Sequence, residues 1–379
     1  MSDDVVPFVI DVPQADLDDL NERLRRTRWP DPETPGDWSQ GVPLDYTRRL
    51  CEYWRDHYDW RATEARLNQF PQFTTEIDGL PIHFLHVRSP HPDALPLVMT
   101  HGWPGSIVEF GKVIGPLTDP TAHGGDAADA FHLVCPSLPG YGFSGKPAEP
   151  GWDVPHVADA WDTLMTRLGY PRYAAQGGDW GSQVTTALGV RHADHLAGIH
   201  LNMVGAAPDP DTMNDLTERE QDALAAMRHY AKWDSGYSKQ QSTRPQTIGY
   251  GLTDSPAGLC AWIIEKFWSW TDCDGDPANV LTWDEMLDNV MLYWLPATGA
   301  SAARLYWESF GHPVRDQVHA PTACSIFPKE ILRPSRRWAE KQFPNLHYWN
   351  ELTRGGHFAA FEQPATFTTE VRSALRPLR

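Results

Sequence analysis

The sequence predicts an α/β fold: a mostly parallel sheet covered by helices, with a helical insertion late in the chain and an N-terminal extension. Three observations point there. From about residue 72, short apolar runs alternate with helical stretches, as a parallel sheet requires. The loops holding the unusual residues follow those runs, where ligand sites form in such sheets. Residues 206–307 break the alternation and are rich in helix formers and tryptophan.

The elements read as follows. Residues 14–28 form an amphipathic helix with Leu17, Leu20 and Leu24 on one face, stopped by Pro30. A second helix starts near Asp45 and carries Leu50, Tyr53, Trp54 and Tyr58. Both precede any strand pattern. FTTEIDGLPIHFLHV then holds two strand-like runs around Asp78-Gly79, a hairpin signal. Further strands are expected at Leu97–Thr100, Phe131–Cys135, Tyr173–Gln176, Ile199–Leu201, Thr322–Phe327 and Leu346–Trp349. The expected division is an extension over 1–70, a core in two parts over 71–205 and 308–379, and a helical cap over 206–307 that can act as a lid.

Bulk properties exclude some functions. A formal net charge of −18 gives no basic face for nucleic acid or anionic lipid. Five scattered cysteines lack disulfide, metal or redox spacing, which fits a reducing compartment. The start, MSDDVVPF, is acidic where a signal peptide is basic, and no apolar run is long enough to span a bilayer. The expected location is the cytoplasm. The 17 tryptophans serve a large core or line an apolar pocket, and composition favours the core.

The chemistry centres on Gly177-Gly178-Asp179-Trp180-Gly181-Ser182. A sharp strand-to-helix turn that exposes a nucleophile needs a small residue two positions either side. Gly177 and Gly181 supply that frame around Asp179. A carboxylate is ionised at neutral pH and needs no base to open a strained C–O or C–halogen bond, leaving an ester on the enzyme. The plain alternative is an Asp in a glycine turn. Ser182 lies outside the frame, and Ser144 in GYGFSGKP lacks the second glycine.

Hydrolysis of such an ester needs a histidine base and an acid to orient it. His357, after Gly355-Gly356, follows the Leu346–Trp349 run. Glu330, in IFPKE, follows the Thr322–Phe327 run; its plain alternative is a helix-start carboxylate. The order Asp179, Glu330, His357 is the nucleophile–acid–histidine order of one hydrolase architecture. Backbone N–H groups of Trp180 and of Trp103, in His101-Gly102-Trp103-Pro104, are placed to bind an oxyanion. His101 itself reads as structural, tying down its loop.

HGWPGS, GYGFSxKP, GGDWGS, FPKE and RGGHFAAFEQP, with the N-terminal PFxIxVPxxDLDDLxxRLxxTRWP, together resemble the microsomal-type epoxide hydrolases and the insect juvenile-hormone epoxide hydrolases. The resemblance covers nearly the whole chain and implies the α/β-hydrolase fold with its N-terminal epoxide hydrolase domain. It implies that Asp179 attacks an epoxide carbon and that two lid tyrosines protonate the leaving alkoxide. SGYSKQQ gives Tyr237 as the first and RLYWESF gives Tyr306 as the second. It also implies a cis Trp103-Pro104 bond. The implied reaction converts an epoxide and water to a vicinal diol, with no cofactor and no metal. Bulky apolar or aryl epoxides are within the class, and some similar soluble bacterial proteins serve antibiotic biosynthesis. Mammalian members carry a membrane anchor before the segment matching PFVIDV, which this chain is expected to lack; membrane association is therefore not carried over, and a homodimer is left open.

Two rival readings remain. A haloalkane-type dehalogenase shares the Asp elbow and histidine but needs N–H donors for a halide, whereas Tyr237 and Tyr306 offer O–H. A non-catalytic binding protein on the same fold would have lost one of Asp179, Glu330 and His357, and all three are present.

Overall fold

The computed structural model describes residues 4–379. Nine strands form one sheet: β1 (Val6–Phe8), β2 (Gln72–Ile77), β3 (Leu80–Val87), β4 (Leu95–Thr100), β5 (Phe131–Pro136), β6 (Tyr173–Gly177), β7 (Leu196–Leu201), β8 (Thr322–Ile326) and β9 (Leu346–Glu351). Their order is β1-β2-β3-β5-β4-β6-β7-β8-β9. β1, β2, β3 and β5 pair antiparallel, and β5, β4, β6, β7, β8 and β9 pair parallel. Every residue of β6, β7 and β8 is buried, as expected of strands covered on both faces. Helix Val154–Arg167 packs on helix Asp179–Arg191, and helix Gly111–Thr118 packs on helix Pro364–Leu375. These pairs cover the sheet.

The hairpin lies where Asp78-Gly79 predicts it. Asp78 has φ 50° and Gly79 φ 79°, the two left-handed positions of a tight hairpin turn between β2 and β3. The N-terminal segment departs from expectation. β1 precedes both helices and adds an edge strand to β2, so a strand comes first. The first helix spans Gln14–Arg25 and buries Leu17, Leu20 and Leu24. The second, Leu44–Asp56, ends before Tyr58, and a third follows at Trp60–Leu67.

The chain orders carbonyl-end loops around a switch point. From β4 it passes to β5 on one side, then returns to β6 on the other. The loops after β4 and β6 therefore open into the same crevice. Between β7 and β8 the long elements are helices: Glu218–His229, Gly236–Thr243, Pro245–Asp254, Pro256–Trp270, Trp283–Trp294 and Gly299–Ser309. N-terminal residues brace them. The Tyr58 and Thr63 hydroxyls donate to Asp288 at 2.8 and 2.6 Å, and Arg66 pairs with the same carboxylate. Trp38 stacks on Trp268 with ring centroids 5.1 Å apart. Asp288 is buried, so these partners are needed to keep a charged group inside. The five cysteines are free and buried, and among the described residues no helix is long and apolar enough to cross a membrane.

Candidate active site

Asp179 opens the helix after β6 with φ 49°, the left-handed region that costs a non-glycine residue about 1–3 kcal/mol. The frame around it explains why the turn persists. A Cβ on Gly177 would lie 2.0 Å from the Gly181 carbonyl oxygen, and one on Gly181 would lie 1.9 Å from that of Thr100. Helix and strand thus approach too closely for any other residue at either position. The turn lifts the Asp179 carboxylate into the crevice beside the loop after β4.

Two groups converge on that carboxylate, and a third, Glu330, stands behind one of them. The Trp103 N–H donates to Oδ1 at 2.7 Å. The loop carrying it has a cis Trp103-Pro104 bond. His101 braces the loop: its Nδ1 is 3.0 Å from the Gly102 carbonyl, and its Nε2 accepts from the Leu138 N–H at 3.2 Å. Burial lowers its pKa to about 4, so it is a neutral structural group. Nε2 of His357 lies 3.4 Å from Asp179 Oδ2, and Nδ1–H of His357 donates to Glu330 Oε1 at 2.7 Å. Glu330 Oε1 also accepts from the Ile331 N–H at 2.6 Å. The His357 N–H donates to the Trp270 carbonyl at 2.8 Å, fixing the loop after β9 against the inserted helices. The Trp180 N–H makes no hydrogen bond to the Asp179 carboxylate among the described contacts; the Trp180 indole meets Tyr306 edge to face, with centroids 4.8 Å apart.

Electrostatics follow from this enclosure. Burial by itself would lower the His357 pKa, but Glu330 and Asp179, by charge and hydrogen bond, raise it well above the ordinary histidine value. Burial, then neighbouring hydroxyls and the Asp179 charge, hold Tyr237 and Tyr306 well above the usual tyrosine range. Both phenols are therefore protonated at neutral pH.

A cavity of about 220 Å³ lies over Asp179. Tyr237 and Tyr306 line it with Trp180, Met203, Phe310 and Leu332, so its wall is largely apolar, with a few hydroxyls, Gln183 and His312 as its other polar groups. The Tyr237 ring stacks on Trp103 at 4.7 Å and meets Tyr306 at 5.7 Å. Sequence reasoning missed a third tyrosine here. Tyr230 lines the cavity, and its hydroxyl is 3.0 Å from that of Tyr237. It opens a five-residue π-helical turn, Tyr230–Asp234, which the helix-forming character of residues 206–307 did not reveal. Asp234 in that turn accepts from Lys266, Ser269 and Trp270 at 2.7, 2.9 and 2.6 Å, tying it to helix Pro256–Trp270.

Of the serines set aside, Ser144 is engaged in its own loop and the Ser182 hydroxyl has no hydrogen-bond partner. The Ser144 hydroxyl donates to the Ser137 carbonyl at 2.7 Å and accepts from the His83 N–H, and Ser182 is buried. Asp162, His192 and His195 hold ligand-type atoms within 4.8 Å of one another, but Asp162 already accepts from the Tyr173 hydroxyl at 2.8 Å and lies 2.7 Å from a His195 nitrogen.

Comparison with known proteins places the chain in a family. Residues 5–110 match the family described as epoxide hydrolase N terminus, and residues 96–232 match the alpha/beta hydrolase fold family. A Stigmatella aurantiaca (strain DW4/3-1) protein, named provisionally as an epoxide hydrolase, is 56% identical over 99% of this chain and 86% of its own length. Epoxide hydrolase 1 of Sus scrofa is 36% identical over 97% of this chain and 87% of its own. The solved epoxide hydrolase of Aspergillus niger superposes with a TM-score of 0.90 at 35% identity, covering 99% of this chain and 97% of that one. Full-length identity of this order, with the N-terminal segment included, shows that the chain belongs to the epoxide hydrolase family of the α/β-hydrolase fold.

Proposed function

We propose that the protein opens a bulky apolar or aryl epoxide through an ester on Asp179 and hydrolyses that ester to a vicinal diol. The observation that carries this reading is one carboxylate set between a backbone donor on Oδ1 and an imidazole on Oδ2, beneath two phenols. Oδ2 attacks an epoxide carbon, the C–O bond breaks, and Tyr237 and Tyr306 neutralise the alkoxide as it forms.

The acid–base logic follows from charge. In the resting site His357 is flanked by two carboxylates, which favour imidazolium. Ester formation removes the Asp179 charge, so the imidazole loses part of the attraction holding its proton and can act as a base. Glu330 keeps the ring oriented with Nε2 toward the ester. Water then attacks Cγ, and the Trp103 N–H, joined by that of Trp180, binds the oxyanion.

The apolar wall supports a bulky, uncharged substrate, and a role in natural-product biosynthesis fits that class. One observation favours the dehalogenase reading: the Trp180 Nε1 is buried with no protein partner, a donor that a halide could use. The convergent phenols weigh the other way. Incubating the enzyme with styrene oxide and with 1-bromohexane separates the two. The epoxide reading expects diol from the first and no bromide from the second, and bromide release without diol overturns it.

A further inference from the structure

A second, smaller cavity lies against the same nucleophile. It has about 20 Å³, enough for one water. Asp179 and His357 line it, as they must if it communicates with the reacting carbon. Three of its other polar residues are Glu109, Gln176 and Asn202. Gln176 is 1% exposed and spends its Nε2–H on Asn202 at 2.7 Å, which leaves its Oε1 without a partner. Asp179 lines both cavities, so the large one can take substrate while the small one takes another reactant.

Glu109 is the unexpected member of that lining. It is the third residue of a short turn, Ile107–Phe110, and its Oε1 accepts from the Ser106 N–H at 3.1 Å. That reciprocal cap accounts for one carboxyl oxygen only. The carboxyl also lies over Gly105, where a Cβ would sit 1.4 Å from Oε1. No side chain can stand at residue 105 while Glu109 holds this pose. Burial pushes its carboxyl up to about 8, with His357 acting against that rise and the Asp179 charge adding to it.

We infer that the small cavity holds the water that hydrolyses the Asp179 ester, and that Glu109 orients it. The inference rests on the covalent reading above. The water donates one hydrogen to His357 Nε2 and the other to the free Oε2 of Glu109, so its lone pair faces Cγ. The new O–Cγ bond forms as the first proton passes to His357. The tetrahedral intermediate then collapses with cleavage of the bond from Cγ to the diol oxygen, and His357 returns the proton to the departing alkoxide. Asp179 is released as the carboxylic acid with one oxygen taken from water, and its remaining proton replaces the one that the phenols gave up on ring opening, which restores the carboxylate.

Glu109→Gln isolates this role. Its amide oxygen can still accept from the Ser106 N–H, so the cap is kept. Its amide nitrogen then faces the water with a donor where an acceptor is needed. Single turnovers of styrene oxide, quenched and followed by mass spectrometry of the Asp179 peptide, resolve ester formation from ester hydrolysis. His357→Gln is run alongside, and thermal unfolding checks that both variants are folded. The expected result is ester formation within about threefold of the native rate and hydrolysis slowed about 10- to 100-fold, so that ester accumulates. Native hydrolysis by Glu109→Gln, while His357→Gln accumulates ester, overturns this role for Glu109 and leaves the covalent reading intact. Equal slowing of both steps also overturns it, since that is the signature of lost packing. Absence of ester in both variants, with diol still formed, overturns the covalent reading beneath it.

Discussion

Nε2 of His357 faces Oδ2 of Asp179 at 3.4 Å, although the two side chains are 178 positions apart in sequence (357 − 179). The other oxygen of that carboxylate is held by the Trp103 N–H. On the proposed reading one oxygen serves the oxyanion site and the other attacks, and several outcomes follow.

Asp179→Ala removes the only group at this position able to form an ester. Diol formation should fall by about 10⁴-fold or more, while the variant keeps the native circular dichroism spectrum. Turnover near the native rate would remove Asp179 from the reaction. Relief of the positive φ is no rescue, because alanine pays a similar conformational cost there.

His357→Gln should open the ring and stall. Mass spectrometry should find the adduct on the Asp179 peptide, with burst diol limited to what residual hydrolysis allows. The pH response has a definite sign. In the resting enzyme Glu330 and Asp179 raise the His357 pKa well above the ordinary value, so the proton is held through neutral pH. In the ester the Asp179 contribution is gone, and the base form should appear at lower pH. NMR titration of the resting His357 should therefore give a higher midpoint than the pH profile of ester hydrolysis. Coincident midpoints would contradict the proposed coupling.

Tyr237→Phe and Tyr306→Phe should each slow ring opening by about 100-fold and the pair should nearly stop it. Tyr230 touches the Tyr237 hydroxyl, so Tyr230→Phe should have a smaller effect, of about threefold, in the same step. Stopped-flow quenching of Trp103 and Trp180 fluorescence on alkylation can follow that step. Equal slowing of ester hydrolysis would make the tyrosines packing residues.

Glu330→Gln keeps an acceptor near His357 Nδ1 but removes the charge that favours imidazolium. Overall turnover should fall by about 10²–10⁴-fold, with ester hydrolysis more affected than ring opening. Gly181→Ala is a test of stability instead. Its Cβ would overlap the Thr100 carbonyl, so the variant should lose about 1–3 kcal/mol by chemical denaturation, together with activity. Native stability would mean the elbow can open without cost.

Much of this arrangement is legible in the chain because its physics is local. The strands from β2 onward announce themselves by apolar runs between turns, and the Gly177–Gly181 frame records a steric limit that only glycine meets. Asp179, Glu330 and His357 each follow a strand, so a parallel sheet brings their loops to one edge. What escaped depends on contacts formed only in three dimensions. β1 is three residues long and contains Pro7, so it has no strand signal without its partner β2. Tyr230 is one aromatic in a helical stretch, and its place beside Tyr237 depends on a π-helical turn. Glu109 follows HGWPGS by three residues and reads as a capping glutamate; only the fold shows it lining a cavity with Asp179 and His357.

The covalent route and direct attack of water give the same diol, so the origin of the new oxygen is the deciding measurement. A single turnover with enzyme in excess, in water enriched in ¹⁸O, tests the account most directly. In the covalent route Asp179 contributes its own oxygen, because water attacks Cγ and not the substrate carbon. The first diol should be almost free of label, the Asp179 peptide should carry it, and product should gain label only in later turnovers. Heavy label in the first-turnover diol, with none in Asp179, would contradict the account and make Asp179 a general base.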